Sequence, residues 1–233
     1  RIPADPHHAM MGDRTIVPPY RIPHKRITCH DLAPIVRAAW MRGVSALPNT
    51  FAHESFMDEL AHEAAVDPVA FRLRHLDDPR QADLVRRTAD AAGWDDRTGP
   101  RFRRQGRMAY GQGFAYATYV HGAFPGTAAA SAAWVCDVAV DTETGEVTLT
   151  RVFVGQDQGL VINPDGVRAQ IHGNVIQTAS RVLTEQVTFD AIGPTQKSWA
   201  TYPIQTFDQV PQVQSMLVER PGDQAHRGLV RRQ

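Results

Sequence analysis

The sequence predicts an α+β fold in which short helices come first and a mostly antiparallel sheet with one packed helix follows. Three observations carry this. Apolar residues recur at helical spacing between positions 51 and 92. The period then drops to two after a basic, Gly- and Pro-bearing link at Thr98–Gly106. Two alternating segments flank "DTETGE", which has the composition of a hairpin turn. Helices and strands segregated along the chain are the mark of α+β layering.

Residues 1–34 hold prolines at 3, 6, 18, 19, 23 and 34 and show no apolar period. A stretch of this kind is expected to lie extended across a surface. Phe56, Met57, Leu60, Ala61 and Ala64 then give an amphipathic helix over about Phe51–Ala65. Asp67-Pro68 is a helix start, with Asp as the cap and Pro in the first turn. Val69, Phe71, Leu73 and Leu76 supply the apolar side of that second helix. A third helix spans about Ala82–Ala92 and stops at Gly93. In "SAAWVCDVAVD", Ala132, Trp134, Cys136, Val138 and Val140 fall on one face of a strand, and "EVTLTRVFVGQD" returns as the next. "NPDG" turns into a helix over about Gly166–Leu183. "EQVTFD" and "VQSMLVER" read as two further strands of an antiparallel sheet.

The bulk numbers exclude several function classes. Twenty-five basic and twenty-five acidic side chains cancel, so no global field favours nucleic acid or an anionic membrane. No apolar run reaches the length of a membrane span. Cys29 and Cys136 are far apart and form no CxxC, which supports neither a disulfide framework nor a thiolate metal site. The chain opens on Arg1, without a targeting signal, and reads either as a chain with its N-terminus removed or as a piece of a longer protein. Nothing selects between bacterial cytoplasm and periplasm.

Motifs for chemistry are individually weak. "HESFMDELAHE" lacks the H-E-x-x-H spacing of zinc proteases, so His53 and His62 read as solvated surface histidines. "DTETGE" lacks the glycine position and closing glutamate of a calcium loop and reads as a turn. "GQG" at Gly111–Gly113 leads into a strand, not a helix N-terminus, and reads as the start of that strand. Arg42-Gly43, in a loop directly before a helix, offers a guanidinium and backbone amides suited to an anionic group. A capping loop with a surface arginine is the alternative. The segment 159–180 sets Asn163, Gln170, His172, Asn174 and Gln177 among Val167, Ile171, Val175 and Ile176, with Gly173 inside the helix. Solvated helix faces use Lys and Glu more than amides. A mid-helix glycine costs about 1 kcal/mol against alanine, so something approaching closely is expected there.

Taken in order, "LPNTFAHESFMDELAHEAAVDPVAFRLRHLDDPR", "GQGFAYATY", "VDTETGEVTLTRVFVGQDQGLVINPDGVRAQIHGNVIQ" and "SWATYPIQTFDQVPQVQSMLVERP" resemble one family. It is the molybdopterin-binding large subunit of the xanthine dehydrogenase and aldehyde oxidase family, nearest the isoquinoline 1-oxidoreductase and nicotinate dehydrogenase type. The resemblance covers about residues 18–222 and implies a C-terminal fragment of a molybdenum-cofactor-binding subunit. On that basis the chain divides into an extended segment and cofactor-side loop (1–49), a helical subdomain (50–97), an α+β molybdopterin-binding domain (98–222) and an atypical tail (223–233).

The resemblance implies a molybdenum hydroxylase that oxidises an aldehyde or N-heterocycle with water as the oxygen source. Its cofactor would be molybdopterin, as such or as the cytosine dinucleotide. Because the pterin dithiolene holds the metal, the protein supplies hydrogen bonds, not metal ligands. Arg42 and Gly43 match the family's R-G loop, Gln177 matches the glutamine of its V-Q-G, and Asp157, Gly159, Asn163 and Pro164 match its D-x-G…N-P turn. Thr178, His172 and Gln158 stand where the family has Gly, Glu and Cys. The implied partners are an iron–sulfur small subunit, which carries the electrons onward, and in this branch a cytochrome c subunit. The family's catalytic glutamate, a general base, belongs in a G-x-G-E segment that "QAHRGLVRRQ" replaces. Neither Glu219 nor His226 takes that role, so no catalytic residue is assigned and the isolated chain is expected to be inactive. The rival expectation is a catalytically inactive remnant or partner-binding piece, and a third is an unrelated α+β binding module.

Overall fold

A computed structural model of the chain describes residues 12, 14–30, 41–100, 102–121 and 128–221. The tail with His226 lies outside the described residues, as does most of the stretch before Arg14. Three helices open the fold: α1 (Ala46–Glu63), α2 (Pro68–His75) and α3 (Pro79–Ala92). Strands β1 (Phe102–Gln105), β2 (Met108–His121), β3 (Ala128–Asp141) and β4 (Val147–Asp157) follow, then α4 (Pro164–Leu183), a 3-10 turn at Phe207–Gln209 and β5 (Gln212–Leu217).

Local chemistry accounts for the boundaries. Asp67 caps α2 by accepting from Val69 N and Ala70 N at 2.8 and 2.9 Å. Its second oxygen accepts from Trp94 Nε1 and Arg97 N, tying the end of α3 back to the start of α2. Gly93 ends α3 in the left-handed region at φ 69°, where a Cβ would strain. Asn163 caps α4 through Gly166 N, with Pro164 in the first turn. Helix α1 begins at Ala46, five residues before the expected start. Its first turns bury only Ala46 and the polar Glu54, so the apolar period marks the later stretch around Met57 and Ala61.

The five strands lie in sequence order, antiparallel throughout except that β5 pairs parallel to β4. This is the expected mostly antiparallel sheet, with the last strand, read in the sequence as antiparallel, pairing parallel instead. Helix α4 and the segment after it carry the chain back along the sheet, and a helical crossover returns a strand in parallel. Three local expectations fail. "EQVTFD" forms no strand: Val187 and Phe189 are about half exposed, and residues 188–195 close on themselves through Thr195 N–Thr188 O. The Thr98–Gly106 link is not purely a link, because it contains edge strand β1, paired with the start of β2. Gly111 and Gly113 lie inside β2, not at its start.

Both faces of the sheet are covered. The face with Phe114, Tyr116, Ala133 and Val135 packs under α1–α3 with Met57, Leu84, Val85 and Ala89. The opposite face, with Val152, Val154, Trp134 and Cys136, packs on Ile171 and Val175 of α4. The face expected to be the strand's apolar side is therefore the α4 side, and its reverse is the more deeply buried one. A register shift beside Asp137/Val138 reseats β4 so that Leu149 also joins the α4 side. Among the described polar residues, burial is greatest at Arg72 and Thr88, followed by Asp157 and Glu54.

Candidate functional site: the Arg42 loop against helix α4

Residues 42–45 form a turn that delivers the chain into α1. Gly43 has φ +90°, natural for glycine, but Val44 has φ +50°, uncommon for a β-branched residue. The turn closes through Val44 N–Met41 O and Ala46 N–Gly43 O, both 2.9 Å. On one side the N-terminal stretch braces it: Arg14 N donates to Ser45 Oγ at 3.1 Å and Thr15 Oγ1 to Ala46 O at 3.2 Å.

On the other side stands α4. Arg42 Nη2 donates to Gln170 Oε1 at 2.6 Å, and Arg181 Nη1 donates to the Arg42 carbonyl at 2.7 Å. Asn174 Nδ2 donates to the Gln170 carbonyl. A Cβ on Gly173 would lie 3.5 Å from Arg42 Nη1, an ordinary contact distance. Arg42 is thus the neighbour of Gly173 within the chain, at a distance that leaves room for a Cβ. Positions 170, 173, 174, 177 and 181 share one stripe of the helix, so Gln177 faces the same side as the residues that touch Arg42. Its side chain is exposed and makes no hydrogen bond among the described residues. His172 is also exposed, and Asn163 is spent on its cap.

The remaining matched turn has a structural account. Asp157 is 3% exposed and accepts from Arg80 Nε at 2.9 Å, Arg220 Nε at 3.1 Å and Gly159 N at 3.1 Å. Burial would raise its pKa, but the hydrogen bonds from Arg80, Gly159 and Arg220 hold it below the usual carboxylate range. This carboxylate pins the end of β4 to α3 and to the end of β5. Cys136 is pushed up to about 11, mainly by burial, and is not a reactive thiolate.

His53 corrects the reading of both "HE" histidines as solvated. Its side chain is 12% exposed, with Nδ1 3.4 Å from Glu54 Oε1, and neither ring nitrogen has a hydrogen-bond partner. His62 is exposed. Arg181 escaped the sequence reading because a basic residue in a last helical turn is explained by the helix dipole alone. Its spacing of eleven from Gln170, three helical turns, was the available signal.

The donor set on the α4 stripe is amide and guanidinium. Among the described residues no group of three His, Cys, Asp or Glu could hold a metal ion. Such a surface suits a group that brings its own metal ligands and asks the protein for hydrogen bonds, and a pterin dithiolene is such a group.

Comparison with known proteins gives the family. Residues 52–211 and 5–76 each match a model described as a molybdopterin cofactor-binding domain. A subunit of the nicotinate dehydrogenase of Pseudomonas putida is 56% identical over 90% of this chain, and the beta subunit of the isoquinoline 1-oxidoreductase of Brevundimonas diminuta is 35% identical over 90%. The chain spans 18% and 25% of those two proteins. The aldehyde oxidoreductase of Desulfovibrio desulfuricans shares the fold, with a TM-score of 0.59 over 77% of this chain and 36% of that one at 12% identity. The chain belongs to the molybdopterin cofactor-binding domain family, in the xanthine dehydrogenase and aldehyde oxidase group of oxidoreductase subunits.

Proposed function

We propose that this chain is part of the large subunit of a molybdenum hydroxylase, with Arg42, Gly43 and Gln177 on the cofactor side. The whole subunit then oxidises an N-heterocycle, or an aldehyde, taking oxygen from water and passing electrons to iron–sulfur clusters on a small subunit. The similarity to a nicotinate dehydrogenase favours the N-heterocycle. A cytochrome c subunit is a further partner of this reading, and the cytosine dinucleotide is one form of the cofactor. The division into 1–49, 50–97, 98–222 and 223–233 remains part of the proposal.

One observation carries the reading: the Arg42 loop and Gln177 meet the same stripe of α4, and the donors there are amides and a guanidinium. Bound there, molybdopterin would supply the oxidation–reduction chemistry. The chain's own residues would bind and orient it. Gln177 and the Gly43 backbone offer hydrogen bonds, Arg42 offers a positive charge to anionic oxygens, and the covered α4 side of the sheet keeps the helix rigid. The test is metal and pterin analysis of the enzyme carrying the full-length subunit, together with turnover of N-heterocycles and aldehydes with an artificial electron acceptor. Molybdenum and pterin with turnover support the reading. An enzyme free of both overturns it.

A further inference from the structure

Gln170 and Arg181 lie eleven residues apart on α4, about 16 Å along the helix, yet both bond to Arg42. One takes the guanidinium and the other takes the backbone carbonyl. Side chain and main chain of the same residue are thus gripped at separate points by one rigid element. The loop they grip is strained at Val44, whose positive φ persists only where the surroundings over-determine it. The opposite side of the loop is braced independently through Ser45 and Ala46.

The geometry points to Gln170 and Arg181 as positioning residues that fix the direction of the Arg42 guanidinium. The inference rests on the cofactor-side reading of Arg42. It adds that the orientation of this charge is set by α4, the helix that also carries Gln177, so that arginine and glutamine keep a fixed mutual placement. Without the two bonds, the 42–45 turn relaxes toward ordinary backbone and the guanidinium becomes one more solvated surface charge. Arg181 contributes through the loop backbone and Gln170 through the side chain, so neither needs to touch the cofactor for this effect.

The experiment uses the assembled enzyme with its full-length subunit. Gln170→Leu and Arg181→Met are combined, beside the conservative pair Gln170→Glu and Arg181→Lys, and hydrogen exchange is followed at the Val44 and Ala46 amides. In the Leu/Met enzyme these amides exchange about tenfold faster or more, as loss of local protection requires, while the melting temperature is unchanged and kcat falls more than KM rises. The Glu/Lys enzyme, which keeps an acceptor and a donor, recovers most of the protection and most of kcat. Unchanged exchange in the Leu/Met enzyme overturns the inference, and so does a Glu/Lys enzyme no better than the Leu/Met one. The functional reading fails separately: wild-type enzyme without molybdenum refutes it whatever the exchange rates are.

Discussion

A Cβ placed on Gly155 would come within 1.8 Å of Thr88 Oγ1, so α3 rests directly on the backbone of β4. Thr88 cannot swing aside without cost, because its hydroxyl donates to Leu84 O at 2.7 Å and the residue is fully buried. Gly155→Ala is expected to cost about 1–3 kcal/mol of stability or more, as overpacking does. Thr88→Ala in the same chain should return part of that loss, because the clash is pairwise. Melting temperatures of the two single variants and the double variant check this. Additive losses would contradict it.

Arg72 is wholly buried and holds Glu54 through Nε–Oε2 at 2.9 Å and Nη2–Glu54 O at 3.0 Å. Tyr20 Oη and Tyr116 N also donate to that carboxylate, so the N-terminal stretch, α1, α2 and β2 converge on one charge. Arg72→Leu leaves Glu54 buried without its counter-charge and should cost about 3–5 kcal/mol. Adding Glu54→Leu should cost less than the two single changes summed. Chemical denaturation of the three variants reads the difference.

The buried carboxylates also set an acid limit. Asp157 and Glu54 are both held below their ordinary values: burial raises each, but the hydrogen bonds and charges of Arg80, Gly159 and Arg220 in one case, and the adjacent His53 ring with the hydrogen bonds and charge of Arg72, Tyr20 and Tyr116 in the other, outweigh it. A depressed folded-state pKa means that the unfolded chain binds more protons in acid. The stabilisation is therefore full above the unfolded value, about 4, and is lost as pH falls through the folded one. Asp157→Asn should lower stability at neutral pH and flatten the acid limb below about pH 4. A limb as steep as wild type would show that Asp157 does not carry it.

Helix α2, the end of α3, the β3–β4 hairpin and the start of α4 were legible in the sequence because each has a local cause: Asp67, Gly93, "DTETGE" and Asn163-Pro164 act within a few residues. The parallel pairing of β5 was not legible, because it depends on where α4 returns the chain. "EQVTFD" alternates like a strand but, among the described residues, pairs only through a single bridge from Phe189 to Pro194, a fact no local pattern contains. His53 looked solvated because a helical period cannot tell that Glu54, one residue on, is drawn into the core by Arg72. For the site, the family resemblance pointed to Arg42, Gly43 and Gln177, while the bonds from Gln170 and Arg181 exist only in three dimensions.

Arg42 and Gln177 are both exposed, and a bound cofactor normally has most of its surface covered. The 233-residue chain alone is therefore expected to retain no molybdenum through purification. Stoichiometric metal in it would show a more complete site than this stripe.

The most direct measurement is the molybdenum and pterin content of enzyme carrying the full-length subunit with Gln177→Ala, beside wild type. Removing the amide leaves a polar group of the cofactor unpaired at a cost of about 1–3 kcal/mol, roughly a 5- to 150-fold loss of affinity. Occupancy is expected to fall in parallel for metal and pterin while the melting temperature of the metal-free protein stays that of wild type. Full molybdenum and pterin content in Gln177→Ala, with Arg42→Ala equally replete, would contradict the claim that this stripe of α4 faces the cofactor.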